Sequence, residues 1–275
     1  MSVDRVVVAV VLGVLQGVFE WLPISSEGNL VVFLTVVQGA SPADAVGLSL
    51  FLHLGTAAAA AAFYREELVE MARLAPDWRP GDAFDGERAG LSFLAVATLV
   101  SGAVGIGAYV AVAEAMTAFG GGAFVAAIGI LLVGTGALQR VAGSVGLGGR
   151  RLPDGVDALV VGALQGLAIL PGVSRSGVTT SALLLRGHDG PSSFELSFLL
   201  SIPAALGAGA IAVVDAGGLP GIGARAAAVA LLTSAVVGYL TIGALVRLVD
   251  RVAFWGVCVA LGGLMVLGGL ASIAL

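Results

Sequence analysis

Long apolar runs set the class of fold that this chain can adopt. They follow one another with few interruptions, and several reach about 20 residues, the length that an α-helix needs to cross a bilayer. Of the 275 residues, 58% are hydrophobic and only 11% are charged, which is too apolar for a soluble domain. The strands of a membrane β-barrel would instead give short alternating segments. The sequence therefore predicts an all-α polytopic membrane protein.

Full-length spans are predicted at about 44–63, 91–112, 119–138, 194–214, 224–246 and 252–275. The segment 65–88 separates the first two spans and carries many charged residues. It is predicted to begin as a short amphipathic helix and to present its charges to solvent.

Proline and polar residues break two further apolar segments. Val6–Phe19 and Leu30–Val37 flank Pro23-Ile-Ser-Ser-Glu-Gly28, and 156–170 and 178–185 flank Pro171-Gly-Val-Ser-Arg-Ser-Gly177. Each pair is predicted to form a re-entrant helical hairpin, which is stable at membrane depth only where protein or a cavity surrounds its polar tip. Because no A-x-A cleavage pattern follows Val6–Phe19, this run is expected to remain in the mature protein.

The distribution of arginine supports this topology. All 13 basic residues are arginines, and if each hairpin returns to the side from which it enters, one side carries ten of them, the other carries two, and Arg175 lies in the second tip. The ten are Arg65, Arg73, Arg79, Arg88, Arg140, Arg150, Arg151, Arg186, Arg247 and Arg251. The positive-inside rule then predicts a plasma-membrane protein with both termini outside. The net charge of −5 argues against a nucleic-acid partner.

The chain also contains an internal repeat. Gly13-Val-Leu-Gln-Gly17 matches Gly162-Ala-Leu-Gln-Gly166, and Leu48-Ser-Leu-Phe-Leu52 matches Leu196-Ser-Phe-Leu-Leu200. The predicted single membrane domain comprises repeat one at about 1–138, a linker at about 139–155 and repeat two at about 156–275. Each repeat has a hairpin and three spans. Because three crossings are an odd number, the second copy begins on the opposite side of the membrane and is inverted. Inverted repeats with broken helices place a binding site near the midplane, where the two tips meet.

The two tips carry complementary charges. Arg175 lies in the second tip, where a charge is expensive unless a cavity and an anion surround it. Pro171 and Gly172 end the preceding helix, and the N-terminus of the next helix suits a phosphate. The first tip carries Glu20 and Glu27 instead. A guanidinium on one tip and carboxylates on the other suit a phosphate-bearing ligand together with a divalent cation.

Glu20 and Ser26 are the candidates for catalysis in the first tip. Gln16 lies one helical turn before Glu20, so both side chains reach the same space. Glu20 fits a cation ligand or a general base, but also a carboxylate at the water interface. Ser26 is the better candidate for a nucleophile, provided that a base lies within hydrogen-bond distance.

Other polar side chains near the tips have simpler interpretations. Ser25, Ser174 and Thr180 fit helix caps as well as a binding site. His53, inside an apolar span, is interpreted as a helix-to-helix hydrogen bond rather than a catalyst. His188 is predicted to be a loop residue.

These motifs resemble those of the undecaprenyl-diphosphate phosphatase family, the bacitracin-resistance proteins. The resemblance rests on Gln16-Gly-Val-Phe-Glu-Trp-Leu-Pro-Ile-Ser-Ser26 and Pro171-Gly-Val-Ser-Arg-Ser-Gly-Val-Thr179. His53-Leu-Gly-Thr56 and the segment 193–203 are softer matches. In that family the first two motifs form the active site with a divalent cation, usually Mg²⁺ or Ca²⁺. One departure is Asn29, which stands where the family usually has a histidine that assists the serine.

The resemblance implies an integral membrane hydrolase that removes the terminal phosphate of a polyprenyl diphosphate. Such an enzyme recycles a lipid carrier for cell-envelope biogenesis and takes part in antibiotic resistance. Glu20, Ser26 and Arg175 are then the catalytic candidates, and Glu20 and Glu27 the metal ligands. The substrate-binding candidates are Gln16, Ser25, Asn29, Gly172, Ser174, Ser176, Gly177 and Thr179.

Two other functions fit the same architecture. One is a transporter or flippase for a phosphate-bearing lipid, because inverted repeats with broken helices are typical of transporters. The other is a catalytically inactive relative that binds lipid. The expected partners are a polyprenyl diphosphate, the bilayer and, in a homodimer, a second copy of the chain. The length and saturation of the prenyl chain stay open.

Overall fold

The computed structural model describes residues 2–118, 120–144, 148–249 and 252–274. These residues form eleven α-helices and no β-strand. The helices are α1 (Ser2–Phe19), α2 (Ser26–Val32), α3 (Pro42–Phe63), α4 (Arg65–Leu74), α5 (Arg88–Ala118), α6 (Gly121–Ser144), α7 (Gly155–Leu167), α8 (Arg175–Leu185), α9 (Gly190–Asp215), α10 (Ala224–Val249) and α11 (Phe254–Ala274). A π-helical turn, Phe33–Val37, extends α2.

Within the described residues, six helices are long and apolar enough to cross a membrane, namely α3, α5, α6, α9, α10 and α11. The prediction of a polytopic all-α membrane protein is therefore confirmed. The amphipathic helix predicted after the first span is α4, which has no buried residue. Helix α6 continues through Gln139 to Ser144, into the segment predicted as a linker. Arg251, counted among the predicted loop arginines, lies outside the described residues.

Glycine lets the long helices approach closely. Helix α6 packs against α11, α1 against α10, α5 against α7 and α3 against α9. A Cβ on Gly129 would lie 2.5 Å from the carbonyl oxygen of Gly262, and a Cβ on Gly269 would lie 2.4 Å from that of Gly122. Only glycine fits where backbones are this close, and the pattern matches small-residue packing between helices in lipid.

The two polar tips lie between short helices and contact each other. The first tip separates α1 from α2, and the second separates α7 from α8. Ser25 Oγ accepts a hydrogen bond of 3.1 Å from the backbone N–H of Gly172 in the second tip. Ser25 has a φ of 61° and Gly172 a φ of 101°, both in the left-handed region. A Cβ on Gly172 would lie 2.3 Å from the carbonyl oxygen of Ile128, so this position also needs glycine.

A buried ion cluster joins the far ends of α7 and α8. Asp157 is fully buried and contacts Arg150, Arg186 and His188. His188 lies between α8 and α9, as predicted for a loop residue, but it is completely buried. A buried carboxylate is stable only with such partners. The cluster therefore fixes the ends of the two helices that carry the second tip.

Asp189 lies just before α9, outside the membrane-spanning segment, and caps the N-terminus of that helix. The backbone N–H of Ser192 donates a 2.8 Å hydrogen bond to Asp189 Oδ1. This bond, together with the nearby guanidinium of Arg151, lowers the pKa of Asp189 below its usual value.

Candidate active site

Glu20 is the centre of a buried polar cluster. It follows α1 directly, and its side chain is only 4% exposed. Glu20 Oε1 accepts a 2.7 Å hydrogen bond from Arg175 Nη2. Glu20 Oε2 accepts hydrogen bonds from Ser26 Oγ at 2.8 Å and from Gln16 Nε2 at 3.0 Å. The structure thus brings together four residues that the sequence singles out, from both tips.

Arg175 is the first residue of α8, and the fold surrounds its charge with partners. Besides the ion pair with Glu20, Nη1 donates a 3.2 Å hydrogen bond to the carbonyl oxygen of Ser197. The guanidinium carbon lies 5.9 Å from the centroid of the Phe198 ring, close enough for a cation–π interaction. These contacts hold an arginine whose side chain is only 14% exposed in the interior of the helical bundle.

His53 belongs to the same cluster, although the sequence interpretation did not place it there. Its Nε2 lies 3.4 Å from Glu20 Oε2. Its Nδ1 lies 2.9 Å from the carbonyl oxygen of Ser49, which can only accept, so Nδ1 carries a proton. Nε2 therefore faces the Glu20 carboxylate. The sequence signal for His53 was the soft match His53-Leu-Gly-Thr56.

Most of the candidate hydroxyls hold the backbone of the tips. Ser174 caps α8 by accepting from the Gly177 N–H at 3.3 Å, and Ser25 caps α2 by accepting from the Gly28 N–H at 3.2 Å. Ser176 Oγ donates to the carbonyl oxygen of Leu22 at 3.3 Å. The capping interpretation of Ser25 and Ser174 is consistent with these contacts. Ser26 differs from them because its hydroxyl contacts the central carboxylate.

Thr179 supports Arg175 from one helical turn away. Thr179 Oγ1 lies 2.8 Å from the Arg175 carbonyl oxygen and 2.6 Å from Ser197 Oγ. This places Thr179 behind the arginine and ties α8 to α9.

Glu27 faces the site without a described partner for one of its oxygens. The residue is 5% exposed, and Oε1 has no hydrogen-bond partner among the residues that the structure describes. Buried carboxylate oxygens are rarely left unpaired. Since Glu27 and Glu20 line the same cavity, an unpaired oxygen at this point suits a cation or a proton donor of a ligand.

Asn29 lies apart from this cluster. Its side-chain amide donates to the carbonyl oxygens of Ile24 at 2.8 Å and Ser25 at 2.9 Å. It also lines a different cavity, between α2, α6 and α11. The structure therefore does not bring Asn29 to Glu20 and Arg175, although the sequence singled it out for substrate binding.

A cavity of about 340 Å³ opens from the cluster and is lined by Glu20, Glu27, His53 and Arg175 at one end. A pocket of about 20 Å³ adjoins it between Ser26, Ser174 and Arg175, which is room for about one water molecule. Charged groups and a serine thus surround a small space beside a larger one.

A divalent cation fits this site only together with a ligand. No group of three or more His, Cys, Asp or Glu side chains in the described ranges is placed to hold a metal ion. Mg²⁺, however, commonly binds one or two carboxylates and takes its other ligands from phosphate and water. The unpaired oxygen of Glu27 beside Glu20 meets that requirement.

Two residues outside the predicted motifs hold the tips in place. Gln139 Nε2 donates a 2.7 Å hydrogen bond to the carbonyl oxygen of Pro23. Thr135 Oγ1 accepts from the Ser174 N–H at 3.3 Å. Both lie on α6, and no local sequence pattern distinguishes them from other polar residues in a span.

The helical architecture and the buried charged cluster define an integral membrane protein of the polytopic α-helical class. Within that class the chain belongs to the BacA family, because the family model described as bacitracin resistance protein BacA matches residues 9–264. The resemblance inferred from the motifs is thereby confirmed.

Curated relatives match almost the whole chain. The chain is 55% identical over 271 residues to the undecaprenyl-diphosphatase of Haloarcula marismortui, covering 97% of this chain and 98% of the relative. It is 38% identical over 271 residues to the undecaprenyl-diphosphatase of Methanococcoides burtonii, covering 94% and 96%. Identity to the protein of the same name from Methanopyrus kandleri is 38% over 270 residues, with 96% of each chain covered.

Proposed function

We propose that the protein is an undecaprenyl-diphosphatase, a membrane hydrolase that converts a polyprenyl diphosphate into the monophosphate carrier lipid and inorganic phosphate. The observation that carries the proposal is the contact of Glu20 with both Ser26 and Arg175 at the end of a cavity. A guanidinium can stabilise the charge on a transferring phosphate, a carboxylate can act as a base, and a serine hydroxyl can act as a nucleophile. The names of the relatives agree with it.

Arg175 is proposed to bind the terminal phosphate. Its guanidinium can offer two parallel donors to phosphate oxygens. The first turn of α8 adds backbone N–H groups that have no partner within the helix, and the helix dipole favours an anion there. These donors stabilise the charge that builds up on the phosphate oxygens as the bridging bond breaks. Gly172, Ser174, Ser176, Gly177 and Thr179 shape this turn.

Ser26 and Glu20 are proposed to carry the reaction. In one route, Glu20 accepts the Ser26 proton, and Ser26 Oγ attacks the terminal phosphorus. The bond to the bridging oxygen breaks, and the prenyl monophosphate leaves with that oxygen. Water then attacks the phosphoserine and releases inorganic phosphate. In the other route, Ser26 positions a water molecule that attacks directly while Glu20 accepts its proton. The pocket between Ser26 and Arg175 has room for that water.

A divalent cation, Mg²⁺ or Ca²⁺, is proposed to be held by Glu20 and Glu27 together with the diphosphate. When bound, it would offset negative charge on the phosphate oxygens. His53 would orient Glu20 through its Nε2. Gln16 fixes the second carboxylate oxygen from one helical turn away. With His53 in this place, the asparagine at position 29 does not remove the acid–base function.

The proposal also includes the topology of the chain in the membrane. Each broken helix pair is proposed to be a re-entrant hairpin, and the repeats about 1–138 and 156–275 to be inverted copies, with both termini outside the plasma membrane. The arginine bias and the contact between Ser25 and Gly172 support this arrangement. Association of two copies in the membrane is included in the proposal.

Phosphate release tests the proposal directly. Purified protein is incubated with undecaprenyl diphosphate in the presence of Mg²⁺, Ca²⁺ or EDTA, beside Glu20→Gln. We expect metal-dependent release of inorganic phosphate that the Gln variant loses. No release under any of these conditions, from protein that is folded, contradicts the proposed activity.

A transporter or flippase is the second candidate. One observation favours it: Ser176 lines both the small pocket beside Arg175 and another cavity, of about 350 Å³, that reaches Gln139 and Trp255 at the ends of α6 and α11. A single layer of residues therefore separates two cavities. Movement of a fluorescent prenyl phosphate across sealed vesicles, without phosphate release, would favour transport over hydrolysis.

A further inference from the structure

The cavity beside Arg175 contains a glutamine, Gln165, to which the proposed mechanism gives no role. Gln165 lies on α7, is 4% exposed and lines this cavity together with Glu20 and Glu27. We propose that the side-chain oxygen of Gln165 is a further ligand of the divalent cation and that it shares this ion with Glu27. The inference rests on the proposed function, because it completes the ligand set of the cation assigned to that site.

Two hydrogen bonds fix the orientation of the Gln165 amide. Its Nε2 donates to the carbonyl oxygen of Leu200 on α9 at 3.2 Å and to Ser101 Oγ on α5 at 3.3 Å. A carbonyl oxygen can only accept, so the nitrogen of the amide, and not its oxygen, must face Leu200. The amide oxygen, Oε1, is buried and has no hydrogen-bond partner among the residues that the structure describes. Since Gln165 lines the cavity, this oxygen is available to a ligand there.

Gln165 and Arg175 are held by successive turns of α9. Arg175 Nη1 donates to the carbonyl oxygen of Ser197, and Gln165 Nε2 donates to that of Leu200. These two carbonyl groups are three residues apart, so they lie on one face of α9, about 4.5 Å apart along its axis. The Gln165 amide therefore lies about one helical turn from the guanidinium that is proposed to bind phosphate.

Glu27 supplies a second oxygen of this kind. Its Oε1 has no described hydrogen-bond partner, and the residue is 5% exposed. Arg175 pairs with Glu20 rather than with Glu27. A buried carboxylate needs a compensating positive charge. Since Mg²⁺ and Ca²⁺ bind carboxylate and amide oxygens alike, Glu27 Oε1 and Gln165 Oε1 suit one ion.

Glu20 offers a cation less than its central position suggests. Its Oε2 already faces three polar side chains, and its Oε1 accepts a hydrogen bond from Arg175. One lone pair of Oε1 stays open, so Glu20 can give the ion a single oxygen. Gln165 and Glu27 each add one, and oxygens of phosphate and water complete the shell of such an ion.

The internal repeat shows that Gln165 does not hold a neighbouring carboxylate. Its counterpart in the first copy is Gln16, whose Nε2 donates to Glu20 Oε2 one helical turn further along. The residue one turn after Gln165 is Ile169, so the second copy has no carboxylate at that place. Gln165 lines the cavity, and Gln16 does not. The two copies of this glutamine therefore differ: one binds the Glu20 carboxylate, and the other faces the ligand cavity.

Two substitutions of Gln165 separate a cation ligand from a residue that only packs. Gln165→Glu keeps the length of the side chain and its oxygen but cannot donate to Leu200, and Gln165→Leu removes the oxygen at similar size. The Kd of Mn²⁺, which binds the same kinds of oxygen ligand, is measured by electron paramagnetic resonance in the presence of methylenediphosphonate. Gln165→Leu should raise this Kd about tenfold or more, whereas Gln165→Glu should leave it unchanged or lower it, because a charged oxygen strengthens the site.

Gln38→Leu is the matched control, because Gln38 is exposed at the end of the π-helical turn and its loss should leave the Kd unchanged. An equal rise of the Kd in both Gln165 variants means that this residue only supports the helices, and it overturns the proposal. An unchanged Kd in Gln165→Leu overturns it as well.

The unsubstituted protein gives a second readout that does not depend on the folding of a variant. Crystals are soaked in Mn²⁺ and methylenediphosphonate, and anomalous scattering locates the ion. We expect it to lie about 2.0–2.6 Å from both Gln165 Oε1 and Glu27 Oε1. An ion bound by Glu20 without Gln165, or no bound ion, overturns the inference, even if phosphate release proves to be metal-dependent. An ion between Gln165 and Glu27 in a protein that releases no phosphate supports the ligand assignment and contradicts the proposed function alone.

Discussion

Glu20 Oε1 and Arg175 Nη2 lie 2.7 Å apart although 155 residues separate them in the chain. The carboxylate follows α1 and the guanidinium begins α8, so the ion pair joins the two polar tips. Both side chains are largely buried, which makes their mutual attraction strong but leaves either one costly without the other. A phosphate bound to Arg175 would therefore offset the same positive charge of the guanidinium that the Glu20 carboxylate offsets in this structure.

Arg175→Ala should lower kcat/KM for phosphate release by about 10²–10³-fold, because it removes the donor that stabilises charge on the transferring phosphate. Arg175→Lys should restore little of the loss, since an ammonium cannot offer two parallel donors. Arg140→Ala is the matched control, because Arg140 stacks on Trp255 at 4.5 Å and lies outside the cluster. Near-normal turnover by folded Arg175→Ala would remove this residue from the mechanism.

The motifs predicted which residues form the cluster better than they predicted where these residues lie relative to one another. Gln16, Glu20, Ser26 and Arg175 could be assigned because each stands beside a helix break in an apolar chain, where a polar side chain is costly without a function. The sequence did not place His53 in the cluster, for the opposite reason. It lies in the middle of an uninterrupted span, and its distance from Glu20 depends on how α3 packs beside α1, which no local pattern encodes.

Asn29 shows the same limit of sequence motifs, because this residue belongs to the motif but lies outside the cluster. It was grouped with the site because it stands where the family usually has a histidine that assists the serine. In the structure it is on α2, and its amide turns back to the carbonyl oxygens of Ile24 and Ser25. Neighbours in sequence point to different sides of a helix. The helical fold itself was predictable, since the length of an apolar run is a local property.

Ser26→Ala separates the two routes for phosphate transfer. If Ser26 is the nucleophile, turnover should fall by about 10³-fold or more, and no phosphoserine should form. If Ser26 only positions water, the fall should be about 10–100-fold. Rapid-quench phosphoprotein analysis with a labelled terminal phosphate distinguishes the two. Ser234→Ala, a buried serine on α10 outside the site, is expected to retain activity.

Glu27→Gln should weaken the metal dependence of the reaction. The substitution keeps the size of a buried side chain and removes the charge beside Glu20, so we expect the Mg²⁺ or Ca²⁺ concentration for half-maximal activity to rise about 10–100-fold. Calorimetric titration of the ion, with a non-hydrolysable diphosphate analogue present, checks binding apart from turnover. The exposed Glu195→Gln on α9 is the control. An unchanged metal requirement in Glu27→Gln would assign the ion to other ligands.

The cap of α9 gives a prediction for the effect of pH on stability. The hydrogen bond from the Ser192 N–H keeps the pKa of Asp189 lower in the folded state than in the unfolded chain. Its carboxylate therefore stabilises the fold above the unfolded pKa of about 3.9, and this contribution is lost as the pH falls through the lower, folded pKa. Asp189→Ala should cost about 1 kcal/mol at neutral pH.

Asp189→Asn keeps a side-chain oxygen for the cap but has no charge to titrate, so it is the matched comparison for this effect. Thermal unfolding in detergent, followed from pH 7 to pH 3, should show the unsubstituted protein more stable than the Asn variant at neutral pH, by a margin that decreases as the pH approaches 3. The difference should shrink only at the acid end of this range, because a carboxylate with a lowered pKa stays ionised at the higher pH values. A difference that is constant with pH would mean that the charge of Asp189 does not contribute to the cap.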